Sequence, residues 1–202
     1  MEPLTIVTST AVPLIRDNID TDIIIPSREM RTVGKKGLGD GLFANWRYTD
    51  AATRTPDPGF VLNKPESQGA QILLGGRNFG SGSSREHAVW ALAEYGFRVV
   101  IAESFSPIFH GNCIRNGLLP VVLDPAPLAR PGLEITVDLP AQKVRAEGRN
   151  WSFEIDGEHK TILVNGLDPI GMTLELNDRI VAHERADRHA RAWAWSVLQA
   201  ES

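Results

Sequence analysis

The sequence predicts an α/β protein, folded as one domain over residues 1–202 with a helical C-terminal extension from about residue 166. Three observations lead there. A strand, a glycine-rich loop, a helix and a second strand follow one another between Ile72 and Ala102, which is the order of a parallel, right-handed β-α-β unit. Short β-segments separated by turns run from Leu133 to Val164 at the spacing of a meander. From Asp178 to about Leu198 the pattern becomes helical, with Ile180, Ala186, Ala190, Trp193 and Val197 near one face.

Taken in order, Thr5 to Ile15 is rich in Ile, Val and Thr and broken only by Pro13, which predicts one or two short strands. Asp17 to Asp22 is a polar turn, and Ile23-Ile24-Ile25-Pro26 reads as a buried strand ended by proline. Ser27 to Gly59 has little periodicity around the apolar island Leu42 to Trp46, so irregular structure with a helical turn or two is expected; such long loops are more often functional than not. Ile72-Leu73-Leu74 is a strand, Gly75 to Gly82 a loop, and Ser84 to Tyr95 a helix stopped by Gly96, with Ala88, Ala91, Leu92 and Tyr95 on one face. Phe97 to Ala102 is the next strand. A second helix runs from Ser106 as N-cap and Pro107 at its first position to Asn116, closed by Gly117, before the strand Leu119 to Leu123. Three prolines stiffen Asp124 to Gly132. The later β-segments are Leu133 to Leu139, Lys143 to Ala146, Trp151 to Ile155 and Thr161 to Val164.

A formal net charge of -4 with scattered Lys and Arg argues against nucleic acid or an anionic membrane as partner. No apolar run approaches the roughly 18 residues that cross a bilayer. The opening Met1-Glu2-Pro3 lacks a basic-then-apolar signal, so a cytoplasmic address is expected. Cys113 is the single cysteine, so this chain alone builds neither a disulfide nor a cysteine-ligated cluster; within a predicted helix it reads as a buried, inert thiol.

The chemistry concentrates in Gly75-Gly76-Arg77-Asn78-Phe79-Gly80-Ser81-Gly82-Ser83-Ser84-Arg85-Glu86-His87, between a strand and a helix, where backbone N–H groups and the helix dipole attract anions. A Walker-type phosphate loop fails for want of a lysine after Gly82. A dinucleotide fingerprint accepts Gly80, Gly82 and the distant Glu103 but meets Arg85 at its third glycine. A serine-hydrolase elbow has no glycine two positions after Ser83 or Ser84. Ser83 as helix cap with Glu86 closing a capping box accounts for local structure but not for Arg85, whose cation opposes the dipole unless an anion meets it. A guanidinium grips a carboxylate in bidentate fashion, so a di- or tricarboxylic acid fits. Beside such donors a serine alkoxide is stabilised enough to remove a proton from carbon next to a carboxylate, with loss or gain of water.

The string Gly80 to Ala88 resembles the signature of the swivelling domain of the aconitase superfamily. Asn18-Ile19-Asp20-Thr21-Asp22 with Ile24-Ile25-Pro26, Leu42 to Tyr48, Phe60 to Asn63, Ala102 to Phe105, Asn116 to Pro120 and Asp168 to Gly171 extend the resemblance over essentially the whole chain, to the stand-alone small subunits of bacterial isopropylmalate dehydratases. The resemblance implies a swivelling β/β/α domain with a central barrel-like sheet and flanking helices. It implies a large-subunit partner carrying a [4Fe-4S] cluster, a dicarboxylate substrate, and the leucine-pathway isomerisation of 2-isopropylmalate to 3-isopropylmalate. Ser83 matches the family's catalytic serine; Ser84 and Arg85 match substrate-binding positions. Thr21 and Asp22 match a pair facing the cluster domain, the aspartate orienting a catalytic histidine. Arg28 and Arg31 lie in the loop that in relatives contacts the substrate's variable group, where Glu29 and Met30 replace the family's usual aromatic residue or leucine. His87 reads as helix packing or capping, and His183 and His189 lack metal-ligand spacing. The same architecture acting on homoaconitate or dimethylmaleate, and a nucleotide-binding module, are the competing expectations.

Overall fold

A computed structural model describes residues 1–30, 34–50, 52–174 and 176–195. Two compact units divide the chain, Met1–Gly166 and Leu167–Ser202.

The first unit is organised by one seven-stranded sheet: β1 (Ile6–Pro13), β4 (Ile72–Gly75), β5 (Val99–Ala102), β6 (Leu119–Val122), β7 (Glu134–Asp138), β8 (Lys143–Ala146) and β9 (Arg149–Ser152), in the order β6-β5-β4-β1-β7-β8-β9. Strands β1, β4, β5 and β6 are parallel, as the β-α-β pattern predicts; β7, β8 and β9 form the antiparallel meander. β1 joins the halves, its Ile6–Thr10 pairing with β7 and its Ala11–Pro13 with β4. Alternate residues sort onto opposite faces: Val12, Leu73, Val100 and Ala102 enter one core with Ile24, Ala88, Leu92, Phe109 and Cys113. Ala11, Ile72, Leu74, Val99, Ile101 and Val121 enter the other with Ile135, Val137, Val144 and Leu163. Strands covered on both faces read as continuous apolar runs, which is why β4, β5 and β6 were recognisable. Each such Leu or Ile contributes about 1.5–3 kcal/mol by burial.

The helices are α1 (Thr21–Ile24), α2 (Ala44–Arg47), α3 (His87–Tyr95), α4 (Pro107–Arg115) and α5 (Gly157–Asn165), with a small hairpin of β2 (Tyr48–Asp50) and β3 (Thr55–Pro56) inside the 27–59 region. Four elements of the first unit differ from expectation. Ile23-Ile24-Ile25 is not a strand: Asp20 caps α1, its carboxylate accepting the Ile23 N–H at 2.7 Å, and a three-residue apolar run is too short to show a period that separates helix from strand. Thr161 to Val164 lies in α5, which Asp156 caps through the N–H groups of Glu158 and His159 and Gly166 ends at φ 66. α3 begins at His87 and not Ser84; its N-cap position is Glu86, with no side-chain cap, so the capping box does not form and Arg85 stands just ahead of the first turn. Trp151 to Ile155 is shifted, with β9 at Arg149–Ser152.

The second unit comprises α6 (Pro169–Leu174), α7 (Asn177–Ala190) and α8 (Ala192–Trp195). The single helix expected from Asp178 breaks at Arg191, where Asp187 takes hydrogen bonds from Arg191 Nε and Trp195 Nε1; Val197 and Leu198 lie outside the described residues. Among the described residues no helix is long and apolar enough to cross a membrane.

Gly80 shows how tightly the central loop is seated. Its φ is +74, and a Cβ there would lie 2.1 Å from Cγ of the buried Phe109. Gly80→Ala is expected to cost roughly 2 kcal/mol or more, from left-handed strain plus overpacking, and to lower the melting temperature by about 4–8 °C; an unchanged thermal melt would refute that account of the glycine.

Candidate active site

Parallel pairing of β1, β4 and β5 brings the segments that follow them, 14–22, 76–86 and 103–106, to one end of the sheet, the carboxyl end where ligands of open α/β sheets bind. The 77–81 stretch threads between the other two as a ribbon. On one side Asn18 donates its N–H to Arg77 O at 2.8 Å, Gly80 to Ile19 O at 2.7 Å and Thr21 to Ser81 O at 2.9 Å. On the other, Phe79 donates to Ser104 O and Ser106 to Phe79 O, each at 3.0 Å, while Ser104 Oγ accepts the Asn78 N–H at 2.8 Å. Arg77 completes the frame by gripping Asp17 through its N–H and guanidinium, which holds the Asp17 carboxyl below its ordinary range.

This frame puts Thr21 and Ser83, 62 residues apart, in contact. Thr21 is 1% exposed, and its Oγ1 lies 3.1 Å from Ser83 Oγ, accepts the Ser83 N–H at 3.2 Å and stands 3.3 Å from Ser83 O. Gly82, at φ +91, lets the backbone turn over Thr21, whose Oγ1 would be 3.3 Å from an added Cβ. Ser83 and Ser84 are exposed. Arg85 Nη1 donates to Asp22 Oδ1 at 2.5 Å, the side chains 32% and 57% exposed, so neither is sealed from an incoming ligand. Asp22 sits in the first turn of α1, where its charge suits the helix N-terminus. Thr21, Asp22, Ser83 and Arg85 therefore form one cluster, with Ser84 on the same loop.

Arg28 stands elsewhere in the local network: on the 3-10 turn Ser27–Glu29, it donates to Asn45 Oδ1 at 2.6 Å and pairs with Glu29 at 3.4 Å. Arg31 lies outside the described residues. His87 packs its ring 4.7 Å from that of Trp90. Sequence reasoning assigned no role to Ser104 or Asn45, although both lie in the strings that carry the resemblance; nothing local marks a hydroxyl that accepts an N–H 26 residues away.

Cys113 is fully buried in α4, and burial pushes its thiol well above the usual range, so it is neither a nucleophile nor a metal ligand in the folded chain. Gly80, the first glycine of the dinucleotide reading, is closely packed on Phe109.

Comparison with known proteins shows what the chain is similar to. The Aconitase C-terminal domain model matches residues 1–126 and the LeuD_N model residues 128–157. The chain is 52% identical to the 3-isopropylmalate dehydratase small subunit of Cupriavidus necator over 96% of this chain and 98% of that protein. It is 50% identical to the one from Lactococcus lactis subsp. cremoris over 92% of this chain and 98% of that protein. Among solved structures, 3-isopropylmalate dehydratase from Methanocaldococcus jannaschii superposes with a TM-score of 0.68 at 28% identity, covering 90% of this chain and 99% of that one.

Proposed function

The chain belongs to the family of 3-isopropylmalate dehydratase small subunits, within the aconitase superfamily, and on that premise we propose that the Thr21-Asp22-Ser83-Ser84-Arg85 cluster is its half of the active site. With its large subunit the protein is a hydro-lyase that interconverts 2-isopropylmalate and 3-isopropylmalate in leucine biosynthesis. The cluster supports dicarboxylate chemistry over nucleotide binding, because an accessible guanidinium, paired in the unliganded chain with the exposed Asp22 carboxylate, stands beside two exposed hydroxyls, and Gly75, Gly76 and Gly80 of the loop are closely packed.

A [4Fe-4S] cluster does not fit this chain's donor set: the only thiol is sealed in the core. The large subunit carries it and, when bound there, it supplies Lewis acidity toward the leaving hydroxyl. This chain's residues do the proton work. Ser83 Oγ, as the alkoxide, takes the proton from the carbon beside a carboxylate; the C–H and C–OH bonds break, a double bond forms, the leaving hydroxide takes a proton from the partner-subunit histidine that Asp22 orients and departs as water, and readdition in reverse with the hydroxyl on the neighbouring carbon gives the isomer. Thr21 Oγ1, at 3.1 Å, steadies Ser83 Oγ as charge develops on it. Arg85 grips a substrate carboxylate with Ser84 beside it, the carboxylate exchanging for Asp22 as guanidinium partner. Asp22, released, orients a histidine of the partner subunit. Arg28 contacts the substrate's variable group, the role that the family resemblance also gives to Arg31. A cytoplasmic location goes with this reading of the chain as a subunit of an amino-acid biosynthetic enzyme.

The observation that carries the proposal is the Ser83–Thr21 contact beside an accessible Arg85. Its test is anaerobic reconstitution with a cluster-bearing large subunit and assay on 2-isopropylmalate, homoaconitate and dimethylmaleate. Turnover of 2-isopropylmalate in preference to the other two is expected; preference for either of those would overturn the substrate assignment.

A further inference from the structure

Glu94, two turns along α3 from the Ser83 loop, has no part in the mechanism above. Its carboxylate nevertheless takes three consecutive backbone N–H groups from a segment 55 to 57 residues earlier: Gly37 to Oε1 at 2.6 Å, Leu38 to Oε2 at 2.5 Å and Gly39 to Oε2 at 2.8 Å. Burial raises the Glu94 carboxyl, yet these N–H groups together hold it below its ordinary value. Charge-assisted bonds of this kind are about twice as strong as neutral ones.

The same segment is gripped from its other side. Arg47 Nη1 donates to Gly39 O at 3.1 Å, with its guanidinium 4.8 Å from the ring centre of Tyr95, the neighbour of Glu94. Gly39 is packed so closely that an added Cβ would lie 3.2 Å from Tyr95 N. Beyond it, Asp40 O accepts Arg54 Nη1 at 2.7 Å and Tyr48 OH at 3.0 Å. Gly41 lies against Glu29, where a Cβ would stand 2.6 Å from Glu29 Cβ. Glu29, its side chain only 6% exposed, pairs with Arg54 at 2.7 Å and with Arg28 at 3.4 Å. Direct contacts thus run from Glu94 through the 37–41 turn and Glu29 to Arg28.

We propose that Glu94 is a positioning residue for substrate: it clamps the 37–41 turn to α3, and so sets where Glu29 and Arg28 stand relative to the Ser83 loop at the front of the same helix. The idea deepens the functional reading and rests on Arg28 contacting substrate. A displacement near 1 Å at such a residue can cost about 100-fold even when it lies away from the chemistry.

The test compares Glu94→Ala and Glu94→Gln in the reconstituted heterodimer. For Glu94→Ala, KM for 2-isopropylmalate is expected to rise about tenfold with kcat within about twofold, because binding geometry and not the proton step is disturbed. Glu94→Gln keeps one acceptor oxygen and should show a smaller rise. Amide exchange at Gly37, Leu38 and Gly39 should accelerate in both. An unchanged KM, or a loss of kcat in proportion to the folded fraction at constant KM, overturns the proposal while leaving Ser83 chemistry standing. If Glu94→Ala does not fold, the KM and amide exchange of Glu94→Gln decide by the same criteria. Failure of the wild-type heterodimer to turn over 2-isopropylmalate would overturn the functional reading and this inference together.

Discussion

Ser83→Ala is expected to lower kcat of the reconstituted enzyme about 1,000-fold or more, which lies within the range a positioned general base contributes. The hydroxyl it removes is exposed, so little packing is lost and the melting temperature and affinity for the large subunit should hardly change. KM should move little, since the proton is taken in the transition state and not on binding. Ser84→Ala is the internal control: as a binding residue it should raise KM and spare most of kcat. Steady-state kinetics on both variants, with co-purification to confirm assembly, separates the two serines. Retention of more than about a tenth of wild-type kcat in Ser83→Ala would remove that residue as the base.

Arg85→Ala should reduce kcat/KM by about 100- to 1,000-fold, equivalent to roughly 3–4 kcal/mol lost from a charge pair desolvated in the complex. Arg85→Lys keeps the charge but loses the planar fork, so its recovery should be partial. In the unliganded chain the Arg85–Asp22 pair is solvent-accessible and contributes at most about 1 kcal/mol. Denaturant unfolding of Arg85→Ala should therefore stay close to wild type, while substrate affinity collapses. A kcat/KM within about threefold of wild type would show that the guanidinium serves Asp22 alone.

Much of the fold was legible because its signals are local. The apolar runs at Ile72–Leu74 and Val99–Ala102, the glycines that end helices, and Pro107 after Ser106 each act within a few residues. Ile23–Ile25 and Thr161–Val164 were misread because apolar stretches of three or four residues rich in β-branched side chains carry no usable period, and the capping aspartates Asp20 and Asp156 decided for helix. Ser83 and Arg85 could be singled out from the loop's own chemistry, as a hydroxyl and a cation at an anion-attracting turn. Glu94 could not, because a carboxylate on a helix looks solvated until the backbone it accepts from is known.

The sequence by itself determined the residue types, the parallel unit, the anion-seeking loop and, through its resemblance to a family, the reaction. Tertiary structure alone decided that Thr21 meets Ser83 and that Arg85 rests on Asp22 before any substrate arrives. These contacts join positions up to 63 residues apart, and they exist because the pairing of β1 with β4 delivers two distant loops to the same end of one sheet. Strand register is a property of the assembled core, where alternate side chains must all find their face at once, and no single segment contains it.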